Sequence, residues 1–338
     1  MNDTPSRILI IKPGAIGDLL HITPVIRALK GFAPDAAITV MVGSKITKSL
    51  FNDNPMVNDV IVFDKKGEHR KWLNLFALWK KIRDARYDLV LNYQRSNLKG
   101  WFLVTAAFPC RVLVYHKLRH RVIHAIEDHL RPLELLGVDP FTYDKSLDFF
   151  PSTQDEAFAD NFIRVNNLYT KKIVAFNPGT SHASKCWPIE RFIELGNAIA
   201  ADFGCEILLL GSPAEKELTD TISKGMQFPV HDLCGCSLGE SAAVLKRCEL
   251  LVTGDTGPMH IATAVNVRVL ALYGPISPVR SGPVGDGNRI VMHEELDCCP
   301  CNSFNCKNNH FRLCMELITV EEVKQALAEM LTLNNNEV

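Results

Sequence analysis

Nine short runs of nearly unbroken aliphatic residues constrain this chain more than any other feature. RILII (7–11), AITVMV (37–42), DVIVF (59–63), DLVLNY (88–93) and RVLVY (111–115) lie in the first half. KKIVAFNPG, CEILLLGS, ELLVTGDTG and RVLALYGP follow in the second, each ending in a turn that contains Gly or Pro. A strand that lacks polar–apolar alternation is covered on both faces, as strands of parallel sheets are. Amphipathic stretches separate the runs. One starts at Thr23, a helix N-cap type with Pro24 at the first helical position, and runs to Leu29. Others cover 72–85 and 122–136, then PIERFIELGNAIAAD, AEKELTDTISKG and SLGESAAVLKRC, and VEEVKQALAEMLTL forms a closing helix. Two such strand–turn–helix series predict two Rossmann-like, doubly wound α/β domains, and 338 residues are enough for two cores. The composition changes across 141–170, so the domains are expected at 1–160 and 161–338.

Composition narrows the function. The chain is 47% apolar and 22% charged with a formal net charge of −1, which excludes disorder and gives no overall pull toward nucleic acid. The apolar run after Arg7 is broken at Lys12-Pro13-Gly14, so neither a signal peptide nor a membrane span is expected, and the protein is expected in the cytoplasm.

Chemistry concentrates where the runs end, as ligands do in open α/β sheets. In Lys12-Pro-Gly-Ala-Ile-Gly-Asp18, glycines permit close ligand approach and Asp18 is either a general base or a helix cap. The spacing is not the dinucleotide GxGxxG. In Asn177-Pro-Gly-Thr-Ser-His-Ala-Ser-Lys185, the hydroxyls of Thr180, Ser181 and Ser184 can donate to phosphate oxygens, and Lys185 can neutralise a diphosphate. In Thr253-Gly-Asp-Thr-Gly-Pro-Met-His260, the N–H groups of Asp255, Thr256 and Gly257 and a helix starting near Pro258 form an anion site, which His260 can reach. Asp255 is expected to orient the loop or meet sugar hydroxyls. In Gly211-Ser-Pro-Ala-Glu215, Glu215 is either a ribose acceptor or a first-turn carboxylate.

In this order, GxxGDLLHxxP, NPGTSxxxKxWP, LLLGSPAE and GDTGPMHIATA, followed by LALYGPISPxRSGP, resemble the ADP-heptose:lipopolysaccharide heptosyltransferases, glycosyltransferase family 9. The resemblance implies the GT-B architecture, two Rossmann-like domains facing across a cleft, with acceptor on the first and ADP-heptose on the second. It implies an inverting transfer of heptose to the lipopolysaccharide inner core that requires no cofactor. It makes Asp18 the catalytic base, Thr180, Ser181 and Lys185 the diphosphate contacts, and Glu215 the residue near the ribose. Asp255, Thr256, Gly257 and His260 become the donor-binding DTGxxH. The acidic acceptor, or the inner membrane surface, suits the basic stretches Lys65–Lys71 and His116–Arg121, with Lys117, Arg119 and Arg121 as acceptor contacts.

The segment CCPCNSFNCKNNHFRLCM (298–315) supplies thiols for a structural zinc at Cys298, Cys301, Cys306 and Cys314, the alternative being free buried thiols. Other functions compatible with the residues are a GT-B enzyme using another nucleotide sugar, an NDP-sugar 2-epimerase and a silent nucleotide-sugar-binding protein. A NAD-dependent oxidoreductase would need the absent GxGxxG.

Overall fold

The computed structural model describes residues 4–94, 97–116, 123–139 and 142–332. The chain forms two compact units, Met1–Phe150 and Pro151–Val338. Every run read as a strand is one. The first unit holds β1 (Arg7–Ile11), β2 (Ala37–Val42), β3 (Asp59–Val62), β4 (Leu89–Asn92) and β5 (Arg111–Val114), all parallel in the order β3-β2-β1-β4-β5. The second holds β6 (Ile173–Asn177), β7 (Glu206–Leu209), β8 (Val230–Asp232), β9 (Leu250–Gly254), β10 (Arg268–Leu272) and β11 (Arg289–Val291), parallel in the order β11-β10-β9-β6-β7-β8.

Both orders reverse once, between β1 and β4 and between β6 and β9. At such a point the loops after the two central strands diverge and leave a crevice. Ile8 to Ile11, Val174 to Phe176 and Leu250 to Val252 have no solvent exposure, which is why their sequences carry no alternation. The two edge strands β8 and β11 escaped the sequence reading. Each is three residues long and partly polar, VHD and RIV, so neither offers an aliphatic run.

Two local expectations change. Thr23 is the first residue of the helix Thr23–Phe32 rather than its cap; its hydroxyl donates to the Leu20 carbonyl and accepts from the Asp148 amide. The stretch 122–136 holds a helix only over Ala125–Leu130 and continues as a 3-10 turn through Leu136, with residue 122 outside the described residues.

The units divide at 150 rather than 160. Arg27 donates to Asp148 at 2.6 Å and to Asp144 at 3.0 Å, tying the segment before 150 to the first unit. The helix Thr153–Val165 packs instead on Leu238–Leu245 in the second unit. Arg247 bridges that contact, reaching Glu156 at 2.6 Å and Asp160 at 2.7 Å, while Lys246 reaches Glu156 at 2.5 Å. Among the described residues, no helix is long and apolar enough to cross a membrane.

Partial burial works to raise the Glu156 carboxyl, but the hydrogen bonds from Lys246 and Arg247 outweigh it and hold the group below the usual carboxylate range. A depressed folded-state value adds stability above the unfolded value, near pH 4.3, and loses it as pH falls through the folded one. Glu156→Gln is therefore expected to lower stability by about 1 kcal/mol at pH 7 and by progressively less below about pH 4, read from urea unfolding across pH.

Candidate functional site

Asp18 follows the C-terminal end of β1, Thr180, Ser181 and Lys185 that of β6, Glu215 that of β7, and Asp255, Thr256, Gly257 and His260 that of β9. In the first unit, β1 runs into Lys12-Pro-Gly and then the short helix Ile16–Leu20, which carries Asp18. A Cβ on Gly14 would lie 3.0 Å from the Asp18 Cβ, so a glycine there lets the carboxylate turn back over the strand end. The Asp18 side chain is 53% exposed and its Oδ1 lies 3.5 Å from Lys12 Nζ. It makes no cap bond, since Ala15 precedes the helix.

Lys12 was not anticipated as a site residue. Its ammonium is largely buried and lies 3.1 Å from His129 Nε2. An ammonium can only donate, so that imidazole accepts through Nε2 and carries its proton on Nδ1. The Tyr93 hydroxyl donates to the His129 carbonyl at 2.6 Å, and the rings of Tyr93 and Tyr115 each lie 5.3 Å from the His129 ring. Burial, and secondarily Tyr115, push the Tyr93 phenol far above its ordinary value, so it remains a donor. The sequence signal for Lys12 was its place at the end of a buried strand, two residues before the first glycine of the motif.

In the second unit, Asn177 ends β6 and joins two loops. Its Nδ2 lies 3.0 Å from the Gly179 carbonyl, 3.1 Å from Thr253 Oγ1 and 3.3 Å from Thr256 Oγ1. The loop after β6 is thus held against the loop after β9, across the reversal of strand order. Asn177 stood in the sequence motif, but its side chain gave no sign of this role. Thr256 precedes the helix Gly257–Ala264, one residue earlier than expected; the four amides at a helix N-terminus have no partner inside the helix. His260 is 4% exposed on that helix's first turn.

Lys185 reaches the same helix end. It is 7% exposed, and its Nζ donates to the Asp255 carbonyl at 2.6 Å and to Asp255 Oδ2 at 3.1 Å. Phe304 covers it, with Nζ 5.7 Å from the ring centroid, and the Ser281 hydroxyl lies 3.4 Å from Asp255 Oδ1. Lys185, expected to neutralise a diphosphate, is paired with Asp255, whose carboxylate orients it as well as the loop. Ser184 is turned inward: it is 3% exposed and donates to the Phe304 carbonyl at 2.8 Å. The Thr180 hydroxyl donates to the His182 carbonyl at 2.7 Å, whereas Ser181 is exposed.

Glu215 takes the place of a first-turn carboxylate. Oε2 accepts from the Ser212 amide at 2.7 Å and hydroxyl at 2.8 Å, closing a capping box. Oε1 lies over Gly179, where a Cβ would come within 1.8 Å of it. This carboxylate therefore stands beside the phosphate-type loop after β6.

Lys117, Arg119 and Arg121 lie outside the described residues. All eleven cysteines are free thiols. Cys298, Cys301, Cys306 and Cys314 line one cavity of about 260 Å³ together with Ser184 and Arg312. Cys306 Sγ accepts from the Arg312 amide at 3.4 Å and Cys298 Sγ from Asn308 Nδ2 at 3.5 Å. As placed, no three His, Cys, Asp or Glu side chains among the described residues are close enough together to hold a metal ion.

Asp255→Ala would leave the buried Lys185 ammonium without its counter-charge. The expected cost is about 3 kcal/mol, the low end for breaking a buried pair, because Asp255 retains some exposure. Chemical denaturation reads the loss, and an unchanged midpoint would mean that the pair is not a supporting element of the site.

Residues 75–312 match glycosyltransferase family 9 (heptosyltransferase). The chain is 26% identical to the Lipopolysaccharide core heptosyltransferase OpsX of Haemophilus influenzae, in an alignment covering 87% of this chain and 86% of that protein. It is similar to the crystal structure of the glycosyl transferase family 9 from Veillonella parvula, with a TM-score of 0.85, 25% identity and 97% of each chain covered. It shares its fold with E. coli heptosyltransferase WaaC with ADP, at a TM-score of 0.72 and 23% identity over 96% of this chain and 99% of that one. A match over more than half of the sequence, joined to a GT-B fold whose strand ends carry the motif residues, establishes that the chain belongs to glycosyltransferase family 9, the heptosyltransferases.

Proposed function

We propose that the protein transfers a heptose from ADP-heptose to the lipopolysaccharide inner core, inverting the anomeric centre. The observation that carries the reading is the Lys185 ammonium held against the N-terminus of Gly257–Ala264 by Asp255, where the second sheet reverses its strand order. A buried cation and a helix N-terminus together favour a diphosphate, and a leaving ADP gains negative charge as its bond breaks. Family membership supports the class of reaction, the relative named for the lipopolysaccharide core supports the acceptor, and the related structure with ADP supports the nucleotide.

In the proposed step the Asp18 carboxylate takes the proton of an acceptor hydroxyl while that oxygen attacks the anomeric carbon. The bond from that carbon to the diphosphate oxygen breaks, and ADP leaves with the electron pair. Lys12 positions Asp18. Thr180, Ser181, Lys185 and the amides of Asp255, Thr256 and Gly257 hold the diphosphate. Glu215 accepts from the ribose, and His260 supports the first turn of the donor helix. Lys117, Arg119 and Arg121 hold acidic groups of the acceptor. The positive charge that steadies the leaving group comes from the chain itself, so the step as written requires no cofactor. A membrane-borne acceptor supports a cytoplasmic enzyme that is peripheral on the inner face of the inner membrane.

ADP release is measured with ADP-heptose in the presence and absence of a heptose-deficient core acceptor. Acceptor-dependent release is expected, and Asp18→Ala should lower it by roughly 10²–10⁴ with ADP binding intact. Full activity of that variant would remove Asp18 as the base. Release without acceptor would point to a nucleotide-sugar epimerase.

We also propose that binding of a structural zinc draws Cys298, Cys301, Cys306 and Cys314 together from the walls of the one cavity that they line. The support is their common cavity, in which four soft donors border the loop that covers Lys185. Elemental analysis of the purified protein should find about one zinc per chain, and its removal by a chelator should lower the melting temperature. Protein without zinc that melts at the same temperature after zinc is added would overturn the assignment.

A further inference from the structure

The first unit carries an apolar face on its surface. On the helix Trp72–Ala85, Leu75, Leu78 and Ile82 point into the core. Trp72, Leu73 and Phe76 point outward and are 65%, 84% and 59% exposed. On the neighbouring helix Leu98–Thr105, the first residue Leu98 is 88% exposed. These side chains rest on a fixed aromatic layer rather than standing singly. Trp79 stacks on Phe76 at 5.6 Å, and Phe102 lies 5.9 Å from Trp72 and 6.3 Å from Trp79. Trp79 Nε1 donates to Thr105 Oγ1 at 3.1 Å, fixing one helix to the other. A contiguous exposed patch of this kind marks an interaction surface, unlike scattered apolar residues.

Its surroundings are basic. Residues 64–83 contain seven lysines and arginines against two carboxylates, in a chain whose total charge is −1. Arg70 and Lys71 directly precede Trp72, and Lys80 continues the outward stripe of Leu73 and Phe76 one turn on. Lys99 joins the two parts: its Nζ donates to the carbonyls of His69 and Arg70 and lies 5.8 Å from the Trp72 ring centroid. Tryptophan with leucine and phenylalanine, flanked by lysine and arginine, suits the boundary between acyl chains and anionic headgroups.

We propose that this face of Trp72–Ala85 and Leu98–Thr105 docks the enzyme on an anionic lipid bilayer. Both helices begin at the C-terminal edge of the sheet, the edge at which β1 delivers Asp18. A bilayer against their first turns therefore lies on the side from which a lipid-anchored acceptor is offered. The proposal deepens the transferase reading and rests on it for the identity of that acceptor.

The full-length protein is sedimented with vesicles of phosphatidylcholine alone and of phosphatidylcholine mixed with phosphatidylglycerol. Binding to the mixed vesicles is expected, weakening as salt is raised. Leu73→Ser/Phe76→Ser should weaken it roughly tenfold or more, and Lys71→Glu/Lys80→Glu should weaken it on the anionic vesicles alone. Both pairs are exposed, and circular dichroism checks that the variants are folded. No binding to anionic vesicles, or equal binding by the variants, overturns the proposal. So does a wild-type dimer that Leu73→Ser/Phe76→Ser converts to monomer without any lipid effect, because the occupant is then a second copy. Transfer to an acyl-free, water-soluble core acceptor should be the same in wild type and Leu73→Ser/Phe76→Ser, while transfer to the vesicle-borne acceptor falls in the variant. A wild-type protein inactive on both acceptors would defeat the transferase reading, whereas the vesicle measurement stands on its own.

Discussion

A parallel sheet covered on both faces excludes water from the whole length of its strands, and with it any charged or reactive side chain placed there. In both units this confines chemistry to the strand ends. After the aliphatic runs of β1, β6 and β9 the first polar side chains are Lys12, Asn177 and Thr253. Two of them are still buried and are satisfied by one another, Asn177 Nδ2 meeting Thr253 Oγ1 at 3.1 Å. The reversal of strand order then decides which ends matter. Only where neighbouring strands send their loops in opposite directions does space open for a ligand, and the residues with chemical character sit at those two places.

Much of this could be read from the residues because burial leaves a plain mark. Runs such as ILII (8–11) and LLV (250–252) have no polar positions because they have no polar side, so nine strands and most helices could be located from the sequence. β8 and β11 lie at the sheet edges, where burial is incomplete and VHD and RIV look like any short segment. The boundary was misplaced for a different reason. The stretch SLDFFPST around residue 150 carries no break that marks a boundary, and the long-range reach of Arg27 to Asp148 and of Arg247 to Glu156 divides it. For the site, the motifs located the right loops, but the direction of each side chain was not legible. Ser184 and Ser181 look equivalent in sequence, yet one faces the Phe304 carbonyl and the other the solvent. Lys12 went unnoticed because a lysine ending a strand is ordinary until a neutral imidazole from 117 residues away is found against it.

Electrostatics in the second unit is arranged for exchange rather than for vacancy. Lys185 is too buried to remain unpaired, and Asp255 satisfies it through both its backbone and its carboxylate. In the proposed donor complex a diphosphate would compete with that carboxylate for the lysine and would meet helix amides that have no intrahelical partner. The Asp255 carboxylate also has the Ser281 hydroxyl within 3.4 Å. Before the ligand binds, the same atoms that would hold it keep the loop in shape.

The last described helix, Val320–Thr332, is an integral part of the second core. Val323, Leu327, Met330 and Leu331 are buried with the residues of β6, β7 and β9, and the Trp187 indole, far earlier in the chain, donates to the Ile318 carbonyl at 2.9 Å. The two units therefore have different timetables during synthesis. The first can close its sheet once about 150 residues have left the ribosome, since all five of its strands and the Arg27 anchor are then present. The second must wait, with an aliphatic sheet face uncovered, until residues beyond 330 emerge. The nascent second domain is thus the segment most in need of protection from aggregation, and a ribosome stalled shortly before residue 320 would leave a finished first domain joined to an unfinished, sticky second one.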